Sequence, residues 1–232
     1  MTSKKYPVCA LCTVRVCEGE GRKAAGGAPP LEKAPAFCPM KLMPGVLEAA
    51  RAEYEKPEVG EFARLASLQE AEGYERLPDG WRTKNTRIEE LILFAAKCGY
   101  KKLGIAHCGG LAAEARTLSD ILTGHGLEVV SVQCKMGAVP KEAIGLKPEE
   151  KIAGPDEWES MCNPIAQAMA LNEAGVDMAV MLGLCLGHDT LFIKYCRVPV
   201  TVLAVKDRVL GHNPLAALYT SGSYYRRLAG QP

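Results

Sequence analysis

The hydrophobic pattern changes period along the chain. From Asn85 onward, stretches with helical spacing alternate with short apolar runs. Ile88, Leu91, Ile92 and Ala95 form one buried stripe, Thr86 and Glu89 make a capping box ahead of it, and Cys98-Gly99 stops the helix. Residues 103–106 read as a first strand. Leu111, Ala115, Leu118 and Leu122 define the next helix, closed by Gly124 and Gly126. Residues 127–133 read as a second strand, valine-rich as buried parallel strands are. Asn163-Pro164 supplies an N-cap and a first-turn proline for a helix that Gly175 ends, and residues 176–184 form a third strand. Asp189 caps a short helix through Tyr195, residues 200–205 are a fourth strand, and Asn213-Pro214 opens a last helix with Leu215, Leu218 and Tyr219.

Strands alternating with helices predict an α/β fold, a doubly wound, mostly parallel sheet of four or slightly more strands spanning residues 85–232. Before it the pattern differs. Leu42, Val46, Leu47 and Ala50, then Phe62, Leu65 and Leu68 after a Pro57/Gly60 break, predict two charged helices between residues 40 and 77, a connector over residues 41–84. Residues 1–40 form a cysteine module: Cys9-x2-Cys12-x4-Cys17, a Gly/Ala/Pro-rich excursion with almost no aliphatic bulk from Gly19 to Pro35, then Cys38-Pro39.

A net charge of +1 and 6% aromatic residues give no electrostatic or stacking case for nucleic acid. No run approaches a membrane span, and the amino terminus lacks an apolar signal core, so a cytoplasmic protein with no membrane partner is expected. In that setting the ten cysteines read as ligands before disulfides. A compact amino-terminal module needs a bound ion or cluster through Cys9, Cys12, Cys17 and Cys38. A [4Fe–4S] cluster is expected there, although the x2-then-x4 order reverses plant-type ferredoxin spacing; a structural zinc knuckle or a free-thiol segment is the alternative.

Topology sorts the remaining thiols. Cys98 and Cys196 end helices that feed strands, on the edge away from the ligands, and read as small buried residues. Cys108, Cys134 and Cys185 follow strands and Cys162 precedes a helix, so all four fall on the strand-carboxyl edge where α/β folds bind ligands. They are expected to share a metal or cluster site; the alternatives are four independent edge cysteines or a redox disulfide pair. If only three of the four ligate, one iron stays open to substrate. Gly109, Gly110, Gly183 and Gly187 allow close backbone approach and N–H donation to sulfur, and Lys135 and Lys206 offset charge.

His107, His188, Asp189, Lys206, Asp207, Arg208 and His212 share that edge. His188, three residues after Cys185, is the candidate proton donor or ligand, against the reading of a histidine bonded to backbone. Lys206, Asp207 and Arg208 are candidates for binding an anionic substrate, against a local ion-pair network. The long segment 134–162, with Pro140, Gly145, Pro148, Gly154 and Pro155, reads as a lid or binding loop. The tail from Tyr219 to Leu228 reads as closing over the edge or mediating contacts in a homodimer.

Met161-Cys162-Asn163-Pro164-Ile165, Gly183-Leu184-Cys185-Leu186-Gly187-His188-Asp189 and the run from Val205-Lys206-Asp207-Arg208 to Tyr224-Tyr225-Arg226-Arg227-Leu228 resemble a domain-of-unknown-function family. Its members are cysteine-rich proteins of anaerobic bacteria and archaea described as metal-binding. The likeness covers most of the chain, Cys9, Cys12, Cys17 and Cys38 included; it implies metal binding and an anaerobic setting but no reaction. The expectation is an iron–sulfur protein with two cysteine sites, acting by redox or Lewis-acid chemistry on a small molecule or with a redox partner protein. The alternatives are a non-enzymatic Zn²⁺ protein, carrier or sensor, and a small-molecule binding module with incidental thiols.

Overall fold

The computed structural model describes residues 6–18 and 30–230. The expectations for the first five residues and for most of the Gly/Ala/Pro-rich excursion, residues 19–29, lie outside the described residues. The chain divides into two compact units, Met1–Leu68 and Gln69–Pro232.

The first unit holds short 3-10 turns at Cys9–Leu11, Val16–Glu18 and Leu31–Lys33, followed by helices α1 (Pro39–Leu42), α2 (Pro44–Tyr54) and most of α3 (Pro57–Glu72). Each helix begins at a proline, whose fixed φ suits the first turn and whose missing N–H costs nothing there. Pro44 therefore splits the first expected helix in two. The small core of this unit is Val16, Ala34 and Cys38, with Met40 packed against it.

The second unit opens with a hairpin, β1 (Tyr74–Leu77) and β2 (Gly80–Thr83), paired antiparallel with Leu77 opposite Gly80. This corrects the helical reading up to residue 77. Pro78-Asp79 turns the chain, and Gly80 sits at φ +146°, a conformation closed to residues with a β-carbon.

The main body runs α4 (Arg87–Lys97), β3 (Lys102–His107), α5 (Ala112–Gly124), β4 (Glu128–Gln133), α6 (Pro164–Glu173), β5 (Met178–Leu182), α7 (His188–Tyr195), β6 (Val200–Ala204) and a short α8 (Leu215–Tyr219). The four strands β3–β6 form a parallel sheet in the order β4-β3-β5-β6. The expected α/β class and the parallel sheet are both present. At the head of α4 the Thr86–Glu89 capping box forms in full.

Side chains alternate across the sheet, and each face has its own core. Leu103, Ile105, Met178, Val180 and Leu182 pack with Leu91 and Ala95 of α4 and Ala115, Leu118 and Leu122 of α5. Ala106, Ala179 and Met181 pack on the other face with Ala168 and Leu171 of α6 and Phe192 of α7. Helices on both faces make the sheet doubly wound. A β-carbon on Gly104 would come within 2.8 Å of Leu171, so the glycine lets α6 lie close against β3.

Two polar side chains fix the strand ends. Asp177 accepts hydrogen bonds from the backbone N–H groups of Lys101 (2.7 Å) and Lys102 (2.8 Å), pinning the start of β3. At the other end, fully buried Gln167 of α6 donates through Nε2 to the carbonyls of Val132 (2.7 Å) and His107 (3.2 Å). One helix thus holds the carboxyl ends of β3 and β4 side by side.

Candidate functional site

The strand order reverses between β3 and β5, the neighbours that chain succession does not connect directly. In open α/β sheets ligands bind in the crevice outside the strand carboxyl ends at such a switch point. Residues 108–110 follow β3 and residues 183–185 follow β5, so both turns open onto that crevice.

A cavity of about 500 Å³ lies there. Cys108, Cys134, Cys162 and Cys185 all line it, together with Gly109, Gly110 and His188. Four thiols spread over 78 sequence positions are thus brought to one space by the turns after β3, β4 and β5 and by the approach to α6. Cys134 is the most buried of them, 3% exposed; the other three are half-buried. The Cys134 and Cys162 sulfurs lie 3.9 Å apart. The N–H of Gly109 donates to Cys134 Sγ at 3.4 Å, and the Arg208 guanidinium donates to Cys185 Sγ at 3.1 Å. A β-carbon on Gly110 would stand 3.9 Å from Cys108 Sγ and 3.7 Å from Lys206 Nζ, so that lysine approaches the cavity's rim without lining it.

The Cys134–Cys162 pair shares its proton unequally. The hydrogen bond between the two thiols, and then burial, push the Cys134 thiol well above its ordinary value. The same hydrogen bond holds Cys162 down at about 5 against the opposing effect of burial, with the charges of Lys135 and His188 assisting. His188 contributes one further donor: its Nδ1 is buried with no hydrogen-bond partner.

The segment 134–162 forms the remaining wall. It leaves β4 and returns to α6 as a flap whose two stems are bonded at Asn163 N–H to the Cys134 carbonyl (2.7 Å) and Met161 N–H to the Val139 carbonyl (2.8 Å). A bridge joins Pro140 to Ser160. Lys141 and Glu159 form an ion pair at 2.7 Å, and Glu159 also accepts from the N–H groups of Ile152 and Ala153. Ile144, Leu146, Ile152 and Met161 place apolar surface against the cavity. The expected binding loop is a hydrogen-bonded wall with an apolar lining.

Several predicted positions fall elsewhere. Gly187 does not line the cavity; it starts α7 at φ +87° and donates its N–H to Asp189 Oδ1 at 2.9 Å. Asp189 accepts from Thr190 N–H as well and so caps the helix start locally. Asp207 accepts from the N–H groups of Val209 (2.9 Å) and Leu210 (2.8 Å), and its own N–H donates to His212 Nδ1. It shapes a turn. His107 is buried, its ring nitrogen bonded to the Cys108 carbonyl at 3.1 Å. Cys196 is held up by burial and packs against the core. Nothing from Val209 to Gly230 lines the cavity, and Leu218, Tyr219 and Tyr224 are largely exposed.

In the first unit Cys9 and Cys17 are exposed, Cys12 is half-buried and Cys38 is buried. Among the described residues no three His, Cys, Asp or Glu side chains converge closely enough to hold a single metal ion, in either unit.

The profile of a family described as "Protein of unknown function (DUF1847)" matches residues 38–203. The chain belongs to the DUF1847 family. The matched span contains β3 to β5, all of β6 but Ala204, the four cavity thiols and His188, and leaves out Cys9, Cys12, Cys17 and the carboxy-terminal run that begins at Ala204. One similar protein, the uncharacterised protein MJ0455 of Methanocaldococcus jannaschii, is 44% identical over 179 residues, covering 77% of this chain and 86% of the relative. Among the described residues of this DUF1847 protein no helix is long and apolar enough to cross a membrane.

The sequence pointed to the four thiols and His188 but missed Lys141, Glu159 and the apolar wall. The Ile144-Gly145-Leu146 stretch was the available signal: two aliphatic residues within an otherwise Pro/Gly/Lys/Glu-rich loop.

Proposed function

We propose that this DUF1847 protein is a cytoplasmic, cysteine-ligated metalloprotein whose edge cavity holds an iron–sulfur centre acting on a small molecule. The observation that supports it is the gathering of Cys108, Cys134, Cys162 and Cys185 around one cavity at the switch point of the sheet. The donor chemistry fits: soft thiols, an N–H donor on Cys134, a guanidinium on Cys185 and an unpartnered imidazole nitrogen on His188. Thiols that ring a space suit a polynuclear centre, since in a single tetrahedral zinc site the ligand sulfurs crowd within about 4 Å of one another. Bound there, a [4Fe–4S] cluster would supply electron transfer or, with one iron unligated by cysteine, Lewis acidity.

The chain's own residues supply the rest. Gly109 and Arg208 donate to sulfur and stabilise thiolate charge. His188 offers a proton or a further ligand through Nδ1. The flap lines the cavity with Ile144, Leu146 and Ile152 and fits a substrate with an apolar part. Cys9, Cys12, Cys17 and Cys38 are the proposed ligands of a second centre that passes electrons, and the exposed Leu218, Tyr219 and Tyr224 offer a face for a redox partner or a second copy.

A second reading has one observation in its favour. The 3.9 Å between Cys134 and Cys162 equals the spacing of about 4 Å that two thiolates adopt on one tetrahedral ion, as in a zinc carrier or sensor. Purification without oxygen and analysis for metal and acid-labile sulfide separates the two. The cluster reading expects a brown protein with iron matched by sulfide; a colourless protein with stoichiometric zinc and no sulfide would replace it with the second.

A further inference from the structure

Two of the cavity's sulfurs stand at the two feet of the flap. Cys134 immediately follows β4 and Cys162 immediately precedes the N-cap of α6, with 27 residues of flap between them. Their backbones are already held together by the hydrogen bond from Asn163 N–H to the Cys134 carbonyl. At 3.9 Å the sulfurs are within a side-chain rotation of bonding distance, about 2.05 Å. They differ in access: Cys162 is half-buried, and Cys134 is 3% exposed. That is the arrangement of an attacking and a resolving thiol.

We propose that Cys134 and Cys162 form a redox latch: they join as a disulfide by exchange with a low-molecular-weight disulfide, closing the base of the flap and withdrawing two thiolates from the cavity. The metal-exclusion half of this rests on the metal-site reading above; the disulfide itself does not. Cys162 attacks one sulfur of the small disulfide, breaking its S–S bond, forming a mixed disulfide and releasing one thiolate. Cys134 then attacks the Cys162 sulfur, expels the second small thiolate and gives up its proton to it. The chain loses two electrons and the small disulfide gains them as two thiols.

The flap would respond, because both of its feet are then covalently tied. Its lining residues Ile144 and Ile152 could no longer move away from the cavity with the stems.

The test uses the full chain, stripped of metal without oxygen and incubated with oxidised glutathione, then digested and read by mass spectrometry. The expected product is a crosslink between the Cys134 and Cys162 peptides and the loss of two hydrogens from the chain, whatever metal the reduced chain takes up. Separate mixed disulfides on both residues, or a crosslink of either to Cys108 or Cys185, would overturn the latch. Cys134→Ser should leave a persistent glutathione adduct on Cys162; an adduct that instead resolves onto another cysteine would count against the pairing. The crosslinked chain should take up no more than a small fraction of the iron or zinc bound by the reduced chain, with uptake restored by dithiothreitol. Equal uptake by crosslinked and reduced chains would overturn the exclusion, and a reduced chain that binds no metal at all would instead defeat the metal-site reading while the crosslink result stands.

Discussion

Asp177 shows how much of the sheet hangs on a single side chain. Its carboxylate takes the N–H groups of Lys102 and Lys101, and those bonds, with the nearby Lys102 charge, hold its pKa below the ordinary aspartate value. A carboxyl depressed in the folded state contributes stability that is fully present above its unfolded pKa of about 3.9 and lost as pH falls through the folded value. Asp177→Asn should therefore lower the urea midpoint at neutral pH, and the gap from the parent should close as pH drops toward and below that range. A gap independent of pH would show that the charge contributes nothing. Gly183 is a second such position. It sits at φ +67° beside Leu111, whose side chain occupies the space a β-carbon would need. Gly183→Ala should cost at least about 1–2 kcal/mol from the left-handed backbone alone and displace the β5 turn that carries Cys185; unchanged thermal unfolding would contradict this.

At the scale of elements, the flap owes its shape to polar bonds more than to a core. Glu159 is its hub, paired with Lys141 and accepting from Ile152 and Ala153 N–H groups. The hydrogen bond to Lys141 holds the Glu159 carboxyl below the ordinary range, so these bonds persist through mildly acidic pH. Glu159→Gln should raise hydrogen exchange at Ile152 and Ala153 several-fold while leaving β3 and β5 protected. Equal exchange in both proteins would mean that the stems alone hold the wall. Elements with local signals were legible in the sequence: the Thr86–Glu89 box, the Asn163-Pro164 helix start and the valine-rich run of β4 each form where expected. The β1–β2 hairpin was hidden because its strands carry Glu75, Arg76 and Arg82 among few apolar residues, so charge obscured a clear Leu77-Pro78-Asp79-Gly80 turn. The third strand proved shorter than its apolar run, Met178–Leu182 within residues 176–184, because the flanking apolar residues fill the turns at its two ends.

At the scale of the whole second unit, topology gathers the candidate site. Strand ends and helix starts fall on one edge of a parallel sheet, so the order of elements alone gathered Cys108, Cys134, Cys162 and Cys185. The closeness of Cys134 to Cys162 and the apolar wall were not legible, since both depend on how the flap folds back, and the unpartnered His188 Nδ1 was not, since it depends on side-chain packing; no local period encodes either. The most direct measurement of a shared metal centre compares iron, zinc and sulfide per chain in the parent and in a Cys108→Ser/Cys185→Ser double variant, both purified without oxygen and both checked for native circular dichroism. A common edge centre predicts a folded variant that has lost the cavity's share of metal and sulfide. A folded variant with the parent's full metal and sulfide content would contradict it.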